Sequence, residues 1–196
     1  MHLKLRTFLI PGILVFSIFA TQAQKFIYGL DFNSIVDNRE FFSPYNTAES
    51  ILGVRVTGNA GVQIDSLHSI RIGLSPFFEF GSNFDDLDLD PVLYYQYKNK
   101  AWNFRLGAFP RNRKDYLIHP FISEKYLYYN PTIEGMELNY SPGHQKYRAF
   151  IDWTSIQGQK QREQFFVGFD FRQNVRKLIF QQQIYYFHRA KSSIPL

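Results

Sequence analysis

Apolar and polar residues alternate over unusually long stretches of this chain, and that period of two restricts its fold more than any other feature. From 51 to 64 the even positions read Leu52, Val54, Val56, Gly58, Ala60, Val62 and Ile64. The odd positions between them read Gly53, Arg55, Thr57, Asn59, Gly61 and Gln63. Successive side chains of an extended strand point to opposite faces, so this pattern predicts a strand with one apolar and one polar side. Asp65-Ser66-Leu67-His68 reads as a turn, and alternation resumes with Ile70, Ile72, Leu74, Pro76, Phe78 and Phe80 against Arg71, Gly73, Ser75, Phe77 and Glu79.

The pattern recurs to the end of the chain. Leu93, Tyr95 and Tyr97 alternate with polar neighbours, Asn99-Lys100 reads as a tight turn, and Trp102, Phe104, Leu106 and Ala108 flank Arg105. After a long irregular stretch from Pro110 to Pro131, Met136, Leu138 and Tyr140 oppose Glu137, and Tyr147, Ala149, Ile151 and Trp153 oppose Arg148 and Asp152. The last pair sets Phe165, Val167, Phe169 and Phe171 against Asp170 and Arg172, with a turn at Gln173-Asn174 before Leu178, Phe180, Ile184 and Tyr186. No helical period competes in the mature region. The prediction is all-β.

Two folds alternate in this way: a half-buried soluble sheet, and a barrel with lipid outside. Strands of a soluble sandwich average about five or six residues. The segments here run to about nine to fourteen, close to the ~9–11 that a tilted strand needs to cross a bilayer. Short turns alternate with longer connections at 82–90, 110–131 and 156–163, as in outer-membrane barrels. Tyr97, Trp102, Tyr140, Tyr147, Trp153 and Tyr186 fall near segment ends, where interfacial girdles sit. Aromatics reach 18% of residues, yet charged residues make up 20%, too many for a helical membrane protein. The expected architecture is an antiparallel up-and-down transmembrane β-barrel with about eight strands present. A secreted carbohydrate-binding β-sandwich is the soluble alternative.

The N-terminus reads as a secretory signal over 1–24: basic His2, Lys4 and Arg6, an apolar run from Phe8 to Ala20, and small Ala23 before cleavage. An uncleaved anchor is the alternative, although Pro11-Gly12 interrupts a run already short for a span of about 20 residues. Residues 25–49 form an N-terminal strand or arm, 50–190 the barrel strands, and 191–196 a tail or truncation point. Counting Phe26, Tyr28, Leu30 and Phe32 as a strand makes nine, whereas single-chain bacterial barrels have even numbers, so the chain reads either as part of a larger barrel or as eight strands with an arm. Lys4 and Arg6 of the signal lower the formal charge from +5 to +3, and the remaining cations are scattered, which argues against nucleic acid as a partner. Cysteine is absent, which excludes disulfides and thiolate chemistry.

Several short motifs resemble uncharacterised porin-like outer-membrane barrels of the Bacteroidota. They are Asp37-Asn38-Arg39-Glu40, Phe109-Pro110-Arg111, Tyr128-Tyr129-Asn130-Pro131 with Glu134-Gly135, and Asp152-Trp153 followed by Gln157 and Arg162-Glu163. The resemblance covers most of 25–190 and implies a porin-like barrel, of greater length than this chain, with no established substrate.

If the apolar face meets lipid, Arg55, Arg71, Glu79, Arg105, Glu137, Arg148, Asp152, Asp170 and Arg172 line the lumen. Unpaired charges in a narrow barrel are costly, so mutual pairing is expected. The result is either a salt-bridged plug or, in a larger barrel, a weakly selective water-filled pore. Asp85, Asp86, Asp88 and Asp90 read as a solvated external loop rather than a calcium site, because an EF-hand's glycine and glutamate are missing. Arg111, Arg113 and Lys114 read as a basic loop rim, with anionic headgroups as the alternative contact. His68, His119, His144 and His188 lie in or beside turns and loops, and no spacing links them to Ser66, Ser123 or Ser141 as a nucleophilic site. No cofactor motif is present. The expectation is therefore a non-enzymatic outer-membrane channel or uptake component, with membrane lipid and small hydrophilic solutes as partners. A structural or adhesive barrel with partner-binding loops is the alternative.

Overall fold

A computed structural model describes residues 24–40, 45, 48–83, 87–112, 123–158 and 161–190. Nine strands follow one another in chain order: β1 (Lys25–Arg39), β2 (Glu49–Gln63), β3 (His68–Glu79), β4 (Asp88–Lys98), β5 (Trp102–Pro110), β6 (Thr132–Tyr140), β7 (Gln145–Ser155), β8 (Gln164–Val175) and β9 (Leu178–Arg189). Each pairs antiparallel with the next, giving one up-and-down sheet of order β1 to β9. The all-β, antiparallel prediction is matched, and the 25–33 segment is a ninth strand rather than an arm, since it extends to Arg39 and pairs with β2 along its whole length. Barrel closure is not seen: β1 and β9 are not paired among the described residues. The signal sequence expected over 1–24 lies, but for Gln24, outside the described residues.

The two faces of the sheet differ as alternation requires. Ile72 on β3 and Leu93 on β4 stand 64% and 56% exposed although both strands have neighbours on either side. Tyr28, Leu30, Leu106, Met136, Val167 and Phe169 extend the same apolar surface across the sheet. Soluble monomers rarely expose contiguous apolar patches beyond roughly 300–600 Å². The opposite face carries Arg55, Ser75, Val92, Phe109, Glu137, Phe150 and Asp152, all buried. The apolar rows therefore do not form the interior, and the charges do.

What buries this inner face is the long connection between β5 and β6. The sequence reads it as irregular, but it contains a short helix, α1 (Glu124–Tyr129). Ser123 caps it by accepting from the Tyr126 N–H, and Glu124 sits favourably in its first turn. Six residues are too few for a 3.6-residue period to declare itself, which is why the pattern missed it. Leu127 inserts among Val92, Tyr94, Phe109, Ile133 and Phe150, while Tyr128 and Tyr129 pack on Ile35, Ile51 and Phe77. Gly168 on β8 makes room for this packing: a Cβ there would meet the Phe150 ring at 2.1 Å.

Two local readings change. The turn placed at Gln173-Asn174 falls at 176–177, where Arg176 adopts a positive φ of 54°, and β8 runs on to Val175. Arg111, expected on a basic rim, is buried instead, since its guanidinium reaches the Asp152 carboxylate at 2.7 Å. Arg113 and Lys114 lie outside the described residues. All four short turns (64–67, 99–101, 141–144, 176–177) fall at one end of the strands, and the longer connections fall at the other.

Candidate functional site

The inner face is built in tiers. Near its middle, Glu137 accepts from Arg105 at 2.5 Å and from Arg148 at 2.8 Å, and Arg148 also reaches Asp170 at 2.9 Å. The Asn139 amide donates to the remaining capacity of Glu137, and the Tyr185 hydroxyl donates to Asp170. The strands bring these groups together because β5, β6, β7, β8 and β9 are successive neighbours whose inner positions fall in register. Aromatic rings cover the cations: Arg105 lies 4.3 Å over Phe109, and Arg148 4.3 Å over Phe150.

Toward the long-loop end lie two further ion pairs. Arg111 donates to Asp152 and to the carbonyls of Asn130 and Thr132, and Asp152 also accepts the Glu134 N–H. Arg55, 2% exposed, donates to Asp90 at 2.5 Å, to the Ser75 carbonyl and to the Tyr128 carbonyl of α1, with Asp88 3.6 Å away. Asp88 and Asp90, read as part of a solvated loop, thus begin β4 and neutralise Arg55, while Asp85 and Asp86 are outside the described residues. Of the nine candidate residues, Arg55, Arg105, Glu137, Arg148, Asp152 and Asp170 engage in these pairs. Glu79 is half-buried and accepts from Tyr129, and Arg71 donates to Asn59. Arg172 shares the strand face of Asp170 but is exposed.

The outermost tier combines carboxylates, cations and phenols around α1. Asp37 accepts from Arg39, which lies 3.6 Å from Glu124, and Lys125 donates to Glu49 at 2.5 Å. The Tyr129 hydroxyl donates to Glu79 at 2.9 Å, and the Tyr128 hydroxyl donates to Glu124 at 3.3 Å. Burial, reinforced by the Glu79 carboxylate, pushes the Tyr129 phenol up to about 12; burial and the charges of Glu124 and Asp37 raise that of Tyr128. Both phenols remain hydrogen-bond donors at neutral pH, beside carboxylates that are acceptors. This tier can bind an anionic or carbonyl oxygen and accept a proton from water.

The sequence reading singled out only Glu79 from this tier. Asp37, Arg39, Tyr128 and Tyr129 stood in the quoted motifs, but their meeting depends on α1 folding back, which no local pattern announces. Among the described residues no histidine joins them. His68 and His144 lie at the short-turn end, His188 is on the outward side of β9, and His119 is outside the described residues.

A profile for proteins of Lipid A 3'-O-deacylase type matches residues 18–193, nearly the whole chain. No curated protein matches. The profile match corrects the expectation of a non-enzymatic protein, because the matched family is an enzyme family, of lipid A deacylation. Sequence spacing had hidden this: the catalytic signals sought were Ser–His and metal motifs, and none is present.

Proposed function

The chain belongs to the Lipid A 3'-O-deacylase-type family, and from that premise we propose that it is an outer-membrane hydrolase releasing the ester-linked acyl chain at the 3' position of lipid A. In this reading residues 1–24 direct export, and the nine-stranded sheet forms wall of a transmembrane barrel whose apolar rows face acyl chains. The observation that carries the proposal is the position of the Asp37–Glu79–Tyr128–Tyr129 tier. It stands at the long-loop end, level with the headgroup esters of a lipid lying against the outward apolar rows but on the inner side of the sheet, so the headgroup would have to reach over the strand ends to meet it.

Hydrolysis then needs water to add to the ester carbonyl, a base to take its proton, and donors for the oxyanion. Asp37 and Glu79 are the carboxylates placed to accept the proton. Tyr128 and Tyr129, held protonated, would donate to the oxyanion by turning their hydroxyls from Glu124 and Glu79 as it forms. Collapse breaks the acyl C–O bond, the sugar oxygen takes the proton back, and the products are a fatty acid and a free 3'-hydroxyl.

Mass spectra of lipid A from cells expressing the full chain test this. Loss of one 3'-linked acyl chain is expected, with Glu79→Gln or Asp37→Asn slowing release about 100-fold or more, the usual size of a general-base contribution. Unchanged lipid A in cells with correctly folded protein in the outer membrane would refute it. The passive-channel reading competes poorly with the observed packing, because Leu127, Arg105, Glu137 and Arg148 crowd the middle and long-loop end of the inner face. Planar-bilayer recordings of the folded protein would revive it only by showing steady conductance.

A further inference from the structure

The opposite, short-turn end of the inner face has a different character. A cavity of about 550 Å³ opens there, with Gln63, His68, Arg71, Gln96, Lys98 and Lys100 among its lining residues and no carboxylate in its wall. Arg71 is only half satisfied: its Nη1 donates to Asn59 at 2.9 Å, while its buried Nε finds no partner among the described residues. His68 borders the cavity from the turn, but its ring lies with Tyr95 and Tyr97 on the outward face, 2.6 Å from the Tyr95 hydroxyl, and is no ligand here.

The surrounding charge is one-sided. Lys98, Lys100, Lys146, Arg172, Arg176 and Lys177 all lie at or near the short turns, and Asp65 is the acid among them. Asp65 does not line the cavity: one carboxylate oxygen accepts from the backbone N–H groups of Leu67 and His68, both at 2.7 Å, and the other lies 4.0 Å from His68 Nε2. At the long-loop end, by contrast, Arg39, Arg55, Arg111 and Lys125 each have a carboxylate within reach. A fold that pairs nearly every cation at one end leaves three in one cavity at the other.

We propose that this cavity is an anion site that takes a phosphate group, with Arg71 as the principal ligand and Lys98 and Lys100 as supporting charges. A guanidinium offers paired N–H donors that match phosphate oxygens, and the two ammonium groups add charge without requiring fixed geometry. Gln63 and Gln96 supply neutral donors. The phosphate is a monoester or free anion, or the diester of a phospholipid headgroup from the leaflet at this end. The site lies at the other end of the strands from the tier assigned to ester hydrolysis and does not depend on it.

The test uses the full chain, folded in a maltoside detergent that carries no phosphate, and titrates it by calorimetry and phosphorus NMR. Three probes are compared: inorganic phosphate, glycerol 3-phosphate and dihexanoyl phosphatidylglycerol, with dihexanoyl phosphatidylcholine as the zwitterionic control. Saturable binding of at least one anionic probe is expected, and which probe binds most tightly distinguishes free phosphate, monoester and headgroup. Arg71→Gln should weaken binding about tenfold or more, Lys98→Gln and Lys100→Gln each by a few-fold, and Arg172→Gln, which does not line this cavity, by less than twofold. Arg71→Lys keeps the charge and should fall between, so the assignment stays testable if Arg71→Gln does not fold. Absence of saturable binding by all three anionic probes would overturn the proposal. So would equal weakening by Arg172→Gln, which would reduce the effect to the net charge of that end.

Discussion

The two ends of the inner face obey the same alternation and yet reach opposite electrostatic outcomes. At the long-loop end, and down to the middle of the strands, cations meet carboxylates and helix α1 covers them. At the short-turn end Arg71, Lys98 and Lys100 line an open cavity without an acid. The difference comes from the connections. A two- to four-residue turn can only reverse the chain, whereas the connection between β5 and β6 is long enough to hold α1, which places Leu127 and its tyrosines on the sheet. Pairing and covering go together, because a charge removed from water must find a partner.

The largest effect that could break this contrast is expected at Glu137. Replacing it by Gln leaves Arg105 and Arg148 buried against a neutral amide, and removing one partner from a buried ion cluster costs about 3–5 kcal/mol. Arg71→Gln at the other end, with its partial exposure and no ionic partner among the described residues, should cost no more than about 0.5 kcal/mol. Urea unfolding of both variants in the same micelles gives the comparison directly. Equal losses would mean that the two ends are not energetically distinct.

Next in size is a substitution on the outward face. Ile72→Arg should destabilise the protein in a bilayer by about 2–4 kcal/mol if the apolar rows meet acyl chains near the midplane. The same change on a solvent-facing sheet would stay within about 0.5 kcal/mol. Folding equilibria in vesicles separate these outcomes, and a neutral result would remove the membrane reading from the outward face altogether.

Leu127→Ala probes the cover itself. Leu127 is buried among five other core side chains, and truncating it should cost about 2–3 kcal/mol, toward the lower end for leucine because α1 can settle toward the sheet. Proteolysis within 111–131 should quicken in the variant while the strands stay resistant. Unchanged proteolysis would show that the ion pairs alone hold this connection in place.

Much of this architecture could be read before any coordinates, and the reason is physical. Strand alternation is a local property, so the faces of Arg55, Arg105, Glu137, Arg148 and Asp152, and the need for those charges to pair, followed from parity. Partners could not be assigned in the same way. Arg55 meets Asp90 across 35 residues and Arg111 meets Asp152 across 41, distances set by sheet order and by the inward fold of one connection. The outer tier was least legible: its acids and phenols come from β1, β2, β3 and a helix of six residues, none of which carries a catalytic spacing. The expectation of a non-enzymatic protein failed for that reason, and the match to a deacylase-type family over 18–193 points to enzymatic activity where motif spacing could not.

The smallest expected effect tests the tier's acid–base character. Tyr129 ionises near 12 in the folded protein, raised first by burial and then by its hydrogen bond to Glu79. A phenol whose value is raised on folding stabilises the native state at pH below its ordinary value of about 10, and this contribution is lost as pH climbs through about 12. Tyrosinate absorbance followed against pH should therefore show a late-ionising component in the wild-type protein that is missing from Tyr129→Phe. In Glu79→Gln the neighbouring negative charge is gone while burial remains, so that titration should move part of the way back toward 10. A full return would mean that Glu79 alone holds the proton on Tyr129. No movement would mean that the carboxylate and phenol are uncoupled, and the pair would then be a poor place to divide base from oxyanion donor.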